Sequence, residues 1–298
     1  MSTLIEFQGW RFTTSNVTEI FSKEAEGQAI SELNNWKGNF PVEETWVQRT
    51  LGIPSLIVRL DCVVKNGKLL IFEIEERPAG IGVTTILNPV FSKKFNNLRN
   101  GWPEIKSVVT KERSSCDDYL WTECIPIEVA EKDDCLLLVR AEPEETQFHK
   151  FVSRSVSTVI TKGDKQYGKE MGLWEEVSIT DFYRLPWDSG FCLKPLKGSK
   201  CRNVEIWHPI FAKKKSGIGG ISTKSRIQKV LGSYGKMYLQ KFIEPMEKPG
   251  DKSLMMAYRV FFGYDLSIKE YRYLGGAWNA RANIKIHGTP DTIMGAVN

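Results

Sequence analysis

Arg59-Leu60-Asp61-Cys62-Val63-Val64-Lys65-Asn66-Gly67-Lys68-Leu69-Leu70-Ile71-Phe72-Glu73-Ile74-Glu75-Glu76-Arg77-Pro78 is the stretch on which the reading of the chain turns. Aliphatic and β-branched runs flank Asn66-Gly67, so two strands are predicted with a tight hairpin between them, because both turn residues tolerate positive φ. Side chains alternate between the faces of a strand, which puts Glu73 and Glu75 on one face and Arg59 and Asp61 on one face of the partner. Pairing the strands then gathers three carboxylates and a guanidinium. Like charges at that density are costly unless cations neutralise them. Hard oxygen ligands of this kind suit Mg2+, which keeps waters and shares its coordination sphere with substrate phosphates. The plain alternative is the solvated face of an exposed hairpin.

Working outward, Phe191 to Pro195 predicts a short strand that ends in Lys194, a point charge able to meet a phosphate. Farther on, Ser216-Gly217-Ile218-Gly219-Gly220-Ile221-Ser222 follows Lys213, Lys214 and Lys215. Its glycines let backbone N–H groups approach an anion, and a helix predicted over Ser222 to Leu231 offers its positive end. The loop is not of the GxxxxGK[ST] type, which excludes a P-loop NTPase, and an ordinary surface loop is the alternative. In the C-terminal stretch Asn279, Arg281, Asn283, Lys285 and His287 alternate with small or aliphatic residues, so one strand face would carry all five. Arg281 offers a planar fork to phosphate, and a basic exposed edge strand is the other reading.

Further strands are predicted over Cys135 to Arg140, Met237 to Ile243, Leu254 to Phe262, Tyr271 to Leu274 and Asn283 to Ile286. Helices are predicted near 144–152 and within 161–180, the second carrying Lys165 and Lys169 and ending near Gly172. Strands occur in hairpins as well as between helices, which points to an α+β protein of several subdomains rather than a doubly wound sheet.

The bulk properties agree with a globular enzyme. The 298 residues are 41% hydrophobic and 26% charged, with a net charge of +5. No apolar run approaches the roughly 20 residues that cross a bilayer, and the N-terminus lacks the parts of a secretory signal, so a cytoplasmic protein is expected. Six cysteines without a CxxC pair and three scattered histidines give zinc little support, and reduced thiols are expected. A non-enzymatic anion- or nucleic-acid-binding protein would use the basic residues of 213–224 and 279–287 with exposed aromatics such as Trp278. The modest charge and the carboxylate hairpin speak against it.

Together these pieces resemble the ATP-grasp superfamily. The Arg-x-Asp, Asn-Gly and Phe-Glu-Ile-Glu-x-Arg-Pro run is similar to that family's magnesium-binding end, usually written with Asp, Glu and Asn; here Glu75 stands in the Asn place. Phe191-Cys192-Leu193-Lys194-Pro195 resembles its strand lysine, and Lys165 lies where an earlier nucleotide lysine is found. Gln240, Lys241, Phe242, Ile243 and Glu244 resemble the inter-lobe hinge that meets adenine and ribose, although Gln240 and Lys241 replace acidic residues common there. Arg259 and Arg281 stand where family members place strand residues near the triphosphate.

The order of these pieces differs from the usual one, with the carboxylate end first, as in a circular permutation. The resemblance implies two α+β lobes enclosing a nucleotide cleft, plus a small α/β element. Residues 1–90 and 245–298 would form the C-lobe, 91–160 the small element, and 161–244 the N-lobe. It implies ATP and Mg2+ as cofactors, with Asp61, Glu73 and Glu75 as metal ligands and Lys165, Lys194, Gly217, Gly219, Gly220, the hinge residues and Arg259 holding ATP. Arg59, Lys194 and Arg281 would be catalytic, and His287 is a guess for a base. The implied reaction joins a small-molecule or peptide carboxylate to an amine, or a thiol, through an acyl phosphate. A small-molecule kinase on the same fold is the enzymatic alternative, and a decayed ATP-binding scaffold is a third.

Overall fold

Asn66 and Gly67 adopt φ of 53° and 72°, the pair of positive values that a two-residue hairpin turn needs. They join β3 (Ile57–Lys65) to β4 (Lys68–Glu75). In this computed structural model the described residues are 4–7, 10–35, 45–109, 117–139, 146–157, 174–196, 203–210, 220–284, 286 and 291–298. From the turn the pairing runs Lys65↔Lys68 to Cys62↔Ile71, then slips, and resumes with Asp61↔Glu73, Leu60↔Ile74 and Arg59↔Glu75. Phe72 is thus the extra residue of a β-bulge, which strict alternation does not anticipate.

The hairpin is one end of a large sheet. β13 (Asp251–Asp265) pairs with β3, then come β14 (Glu270–Arg281), β15 (Ile293–Val297), β2 (Trp10–Thr14) and β1 (Leu4–Phe7), while β12 (Met246–Lys248) pairs with β13. Strands from both ends of the chain therefore share one sheet. One face carries Leu60, Cys62, Ile71, Ile74, Tyr258 and Val260 into the main core. Helix α1 (Lys23–Asn35) covers it with Ala25, Ala29 and Leu33, a stripe of small residues at helical spacing that lets the helix lie close. Gln28 of this helix also accepts from the Leu69 N–H and donates to the Gly67 carbonyl, both at 2.9 Å, which pins the hairpin tip.

A short helix, α2 (Trp46–Leu51), is followed after the hairpin by α3 (Ile81–Leu87) and α4 (Pro89–Arg99). The Asp117 carboxylate caps α3 by accepting from the backbone of Gly80 at 2.9 Å and Val83 at 2.8 Å. Phe91 of α4 packs on Phe261, the cross-strand neighbour of Arg59, with ring centroids 5.1 Å apart. Two smaller sheets complete the fold. β5 (Ile105–Val108) is parallel to both β6 (Cys124–Ile125) and β7 (Leu136–Val139), with α5 (Ile127–Ala130) beside them. An antiparallel sheet is ordered β10 (Glu205–Trp207), β9 (Phe191–Pro195), β11 (Lys236–Lys241), β8 (Glu175–Ser178). Helix α6 (Lys224–Tyr234) packs Ile227, Val230 and Leu231 against Phe191, Leu193, Met237 and Leu239 of this sheet. The class is α+β.

Several local expectations are corrected. The helix predicted within 161–180 and ending near Gly172 lies outside the described residues, and beyond it residues 175–178 form a strand, followed by a 3-10 helix at Ile179–Arg184. β14 ends at Arg281, and the described residues 283, 284 and 286 do not continue it as a strand, while Lys285 and His287 lie outside the described residues. The strand that holds Asn279 is no exposed edge, since β13 and β15 flank it. Trp278, expected to be exposed, is instead fully buried and its indole N–H donates to the Val17 carbonyl at 3.1 Å, so that ring is not available to stack on a base.

Candidate functional site

The face of the large sheet opposite α1 carries the charges. Asp61, Glu73 and Glu75 each present a carboxylate oxygen, and the three oxygens lie within 4.8 Å of one another. The register explains the meeting: Asp61 stands opposite Glu73 on one side and Arg259 on the other, while Arg59 stands opposite Glu75. The bulge at Phe72 resets the alternation just before Glu73, so both glutamates still face Asp61.

Arg59 is the hub. Its guanidinium donates to Asp61 Oδ1 at 2.7 Å and Oδ2 at 3.1 Å, contacts Glu75 Oε1 at 2.6 Å, and donates to the Ala79 carbonyl at 2.7 Å. Its side chain and that of Asp61 are each 3% exposed. Arg259 approaches Asp61 Oδ2 more loosely, at 3.7 Å. Two guanidinium groups therefore face three carboxylates, and the surplus falls on Glu75. Burial, with the fields of Glu73 and Asp61 added, pushes its carboxyl up to about 7 against the pull of Arg59. A carboxyl that prefers a proton near neutral pH is one that a cation can relieve. The donor set consists of hard oxygens, which suits Mg2+ better than zinc or copper, and the half-buried glutamates leave a side open to further ligands.

The antiparallel sheet meets this cluster at the bulge. Lys194 Nζ donates to the Phe72 carbonyl at 2.8 Å, and Gln240 Nε2 donates to the same oxygen at 3.1 Å. Lys194 and Gln240 are 7% and 4% exposed, on neighbouring strands β9 and β11. The Trp174 ring lies under the ammonium, 4.5 Å from Nζ, and leans on Tyr238 at 5.4 Å.

The other residues singled out in the sequence are distributed as follows. Lys241 is exposed, Phe242 packs on His208 with centroids 4.9 Å apart, Ile243 joins the cluster of Val63, Leu70 and Phe72, and Glu244 pairs with Lys65 at 3.0 Å. Burial lowers the His208 imidazole below its ordinary range, with Glu244 pulling the other way. Gly220 has φ of 96° and packs so closely on Asn283 that a Cβ there would lie 2.4 Å from Oδ1. Arg281 forks onto Asp291 Oδ2, with both bonds at 3.0 Å. It is four residues along and one strand over from Arg259 in register, about 14 Å by strand geometry, so it shares the sheet but not the immediate cluster. Lys165, Gly217, Gly219 and His287 lie outside the described residues. Sequence reasoning missed Phe72 and Trp174. A bulge leaves no local mark in an otherwise regular strand, and a lone tryptophan carries no pattern.

No protein-family model matches the sequence, and no curated protein matches it. Among solved structures the chain is similar to a crystal structure provisionally named gamma-glutamylcysteine synthetase, from Methylobacillus flagellatus KT. The identity is 11% and the TM-score 0.46, with 93% of this chain and 88% of that chain covered. At that level of likeness, the reading of function rests on the side chains themselves.

Proposed function

We propose that the protein is a Mg2+- and ATP-dependent ligase that joins a carboxylate to an amine, or a thiol, through an acyl phosphate. One observation carries the reading. A cluster of carboxylate oxygens on one sheet is met, at the strand residue between its members, by a buried lysine and glutamine from a second sheet. In this arrangement Asp61, Glu73 and Glu75 would hold Mg2+, which would supply positive charge to offset the charge developing on the phosphate. An ammonium has three N–H groups, so Lys194 can keep the Phe72 carbonyl and still offer donors to a phosphate. Arg259, the less enclosed of the two central arginines, adds positive charge beside the transferring phosphoryl group. Arg59 is fully engaged with Asp61, Glu75 and Ala79, and serves the reaction by fixing the acids. ATP loses its γ-phosphoryl group to the substrate carboxylate, giving ADP and an acyl phosphate. The amine then attacks the acyl carbon, and inorganic phosphate leaves with the C–O electron pair.

The same reading supplies the organisation of the chain. Residues 1–90 and 245–298 form one lobe, 161–244 the other, and 91–160 the small α/β element, an ATP-grasp arrangement in permuted order. Strands of the first and last segments lie in one sheet, which agrees with such a lobe.

Thermal unfolding tests the nucleotide site. Mg-ATP is expected to raise the melting temperature of the wild type by several degrees, since a ligand at 100 times its Kd stabilises by about 2.7 kcal/mol. Asp61→Asn with Glu73→Gln should abolish that rise. The absence of any shift with millimolar Mg-ATP or Mg-ADP overturns the reading. ADP release across a panel of acids and amines then finds the substrate. Free phosphate with an amide marks a ligase, whereas a stable phosphorylated product marks a kinase.

A further inference from the structure

We infer that Lys194 and Gln240 set the geometry of the metal-binding acids in the absence of nucleotide, by holding the bulged carbonyl of Phe72. The inference rests on the proposed metal site and adds to Lys194 a role separate from any contact with phosphate.

The physical case starts from the bulge. Asp61 pairs with Glu73 and Cys62 with Ile71, which leaves Phe72 without a partner residue on β3. A bulge bends its strand and aims the following side chain, and its unpaired backbone groups need partners elsewhere. Here the Phe72 carbonyl receives two donors, Lys194 Nζ at 2.8 Å and Gln240 Nε2 at 3.1 Å, and Gln240 also reaches the Ile71 carbonyl at 3.4 Å. Both donors are buried on adjacent strands of another sheet, and Lys194 is further fixed over the Trp174 ring. Glu73 is the next residue after that carbonyl, and Glu75 lies two farther on. The direction of both carboxylates toward Asp61 therefore depends on a backbone oxygen that the second sheet anchors. Partners of this kind, one step removed from the ligands, commonly change metal affinity by 10–100-fold when removed.

The test uses the sign of the charge effect. Full-length, nucleotide-free protein is titrated with Mn2+, which accepts the same oxygen ligands and whose free form is counted by electron paramagnetic resonance. Electrostatics alone predicts that Lys194→Met tightens Mn2+ binding, because a positive charge beside the acids is removed. The anchoring role predicts the opposite, a weakening of about tenfold or more. Lys194→Gln, which keeps a donor for Phe72 and loses the charge, is expected to bind at least as tightly as the wild type. Gln240→Leu changes no charge and is expected to weaken binding in the same direction, and it carries the test if Lys194→Met does not fold. Unchanged or tighter binding in both Lys194→Met and Gln240→Leu overturns the inference and leaves the metal site standing. No Mn2+ binding by the wild type at millimolar concentration overturns the metal site itself, and the inference with it.

Discussion

Two arginines on the same large sheet, Arg59 in the hairpin and Arg281 at the end of β14, make the same kind of ion pair in opposite surroundings. Arg59 and Asp61 are each 3% exposed, and the guanidinium also holds Glu75 and a backbone carbonyl. Arg281 is 13% exposed, but its partner Asp291 is 62% exposed and sits beyond the end of the strand. In the first case the charges have given up water for one another, and neither can leave without stranding its partner. In the second, water and salt screen the pair, so it can be exchanged for another anion at little cost. The buried arginine belongs to the scaffold of the site. The one at the strand end keeps a fork that a phosphate could take over.

The largest difference is expected from removing the buried member. Arg59→Met leaves Asp61 and Glu75 buried beside Glu73 with Arg259 as the nearest cation, and should cost about 3–5 kcal/mol. Urea unfolding at pH 7.5 measures it. The loss should shrink at pH 5, where protonation relieves the stranded acids. A cost below about 1 kcal/mol would mean that the cluster is as wet as an ordinary surface.

How far the sequence disclosed all this depends on which residues one asks about. The hairpin was legible because Asn66-Gly67 fixes a turn and the turn fixes a register as far as Cys62 and Ile71. The meeting of Asp61 with Glu73 and Glu75 needs the bulge at Phe72 as well, since the unbroken register would set Asp61 opposite Phe72. The strand that holds Arg281 had alternation without punctuation. Asn279, Arg281 and Asn283 continue the pattern, yet the ladder stops at Arg281, and no turn residue marks the place. Helix α3 was hidden for another reason. Ile81-Gly82-Val83-Thr84-Thr85-Ile86-Leu87 is poor in helix formers, and its cap is Asp117, a residue more than thirty positions away. Helix α1 was not predicted either, although Ala25, Ala29 and Leu33 stand at helical spacing. The meeting of Lys194 with Phe72 joins residues 122 apart, and no local pattern encodes it.

Glu75 refines the contrast, because it is the acid that the buried pair leaves uncompensated. Its folded-state pKa of about 7 lies above the ordinary value of 4.5, so the folded protein holds that proton more tightly than the unfolded chain. Stability from this group is fully present below about pH 4.5 and is lost as pH rises through about 7. Metal-free wild type should therefore weaken between pH 5 and pH 8, and Glu75→Gln should flatten that slope. At pH 8 in chelator the variant should be more stable by about 1–2 kcal/mol. Saturating Mg2+ should reverse the order, because the variant lacks a ligand. Parallel slopes for the two proteins in chelator would place the surplus charge on another acid.

The smallest effect on stability, and the most useful one, belongs to Arg281. Its partner carboxylate is mostly exposed, so Arg281→Met is expected to change unfolding free energy by less than about 1 kcal/mol. Under the proposed function the same substitution should lower the Mg-ATP-induced rise in melting temperature and slow ADP release, because the strand-end fork is the one that can turn to a phosphate. Stability and ligand response then separate in this variant, whereas Arg59→Met loses both together. An unchanged response to Mg-ATP would remove Arg281 from the nucleotide site and confine that site to the cluster around Asp61, Arg259 and Lys194. The roughly 14 Å between Arg281 and Arg259 would then be a boundary of the site rather than its span.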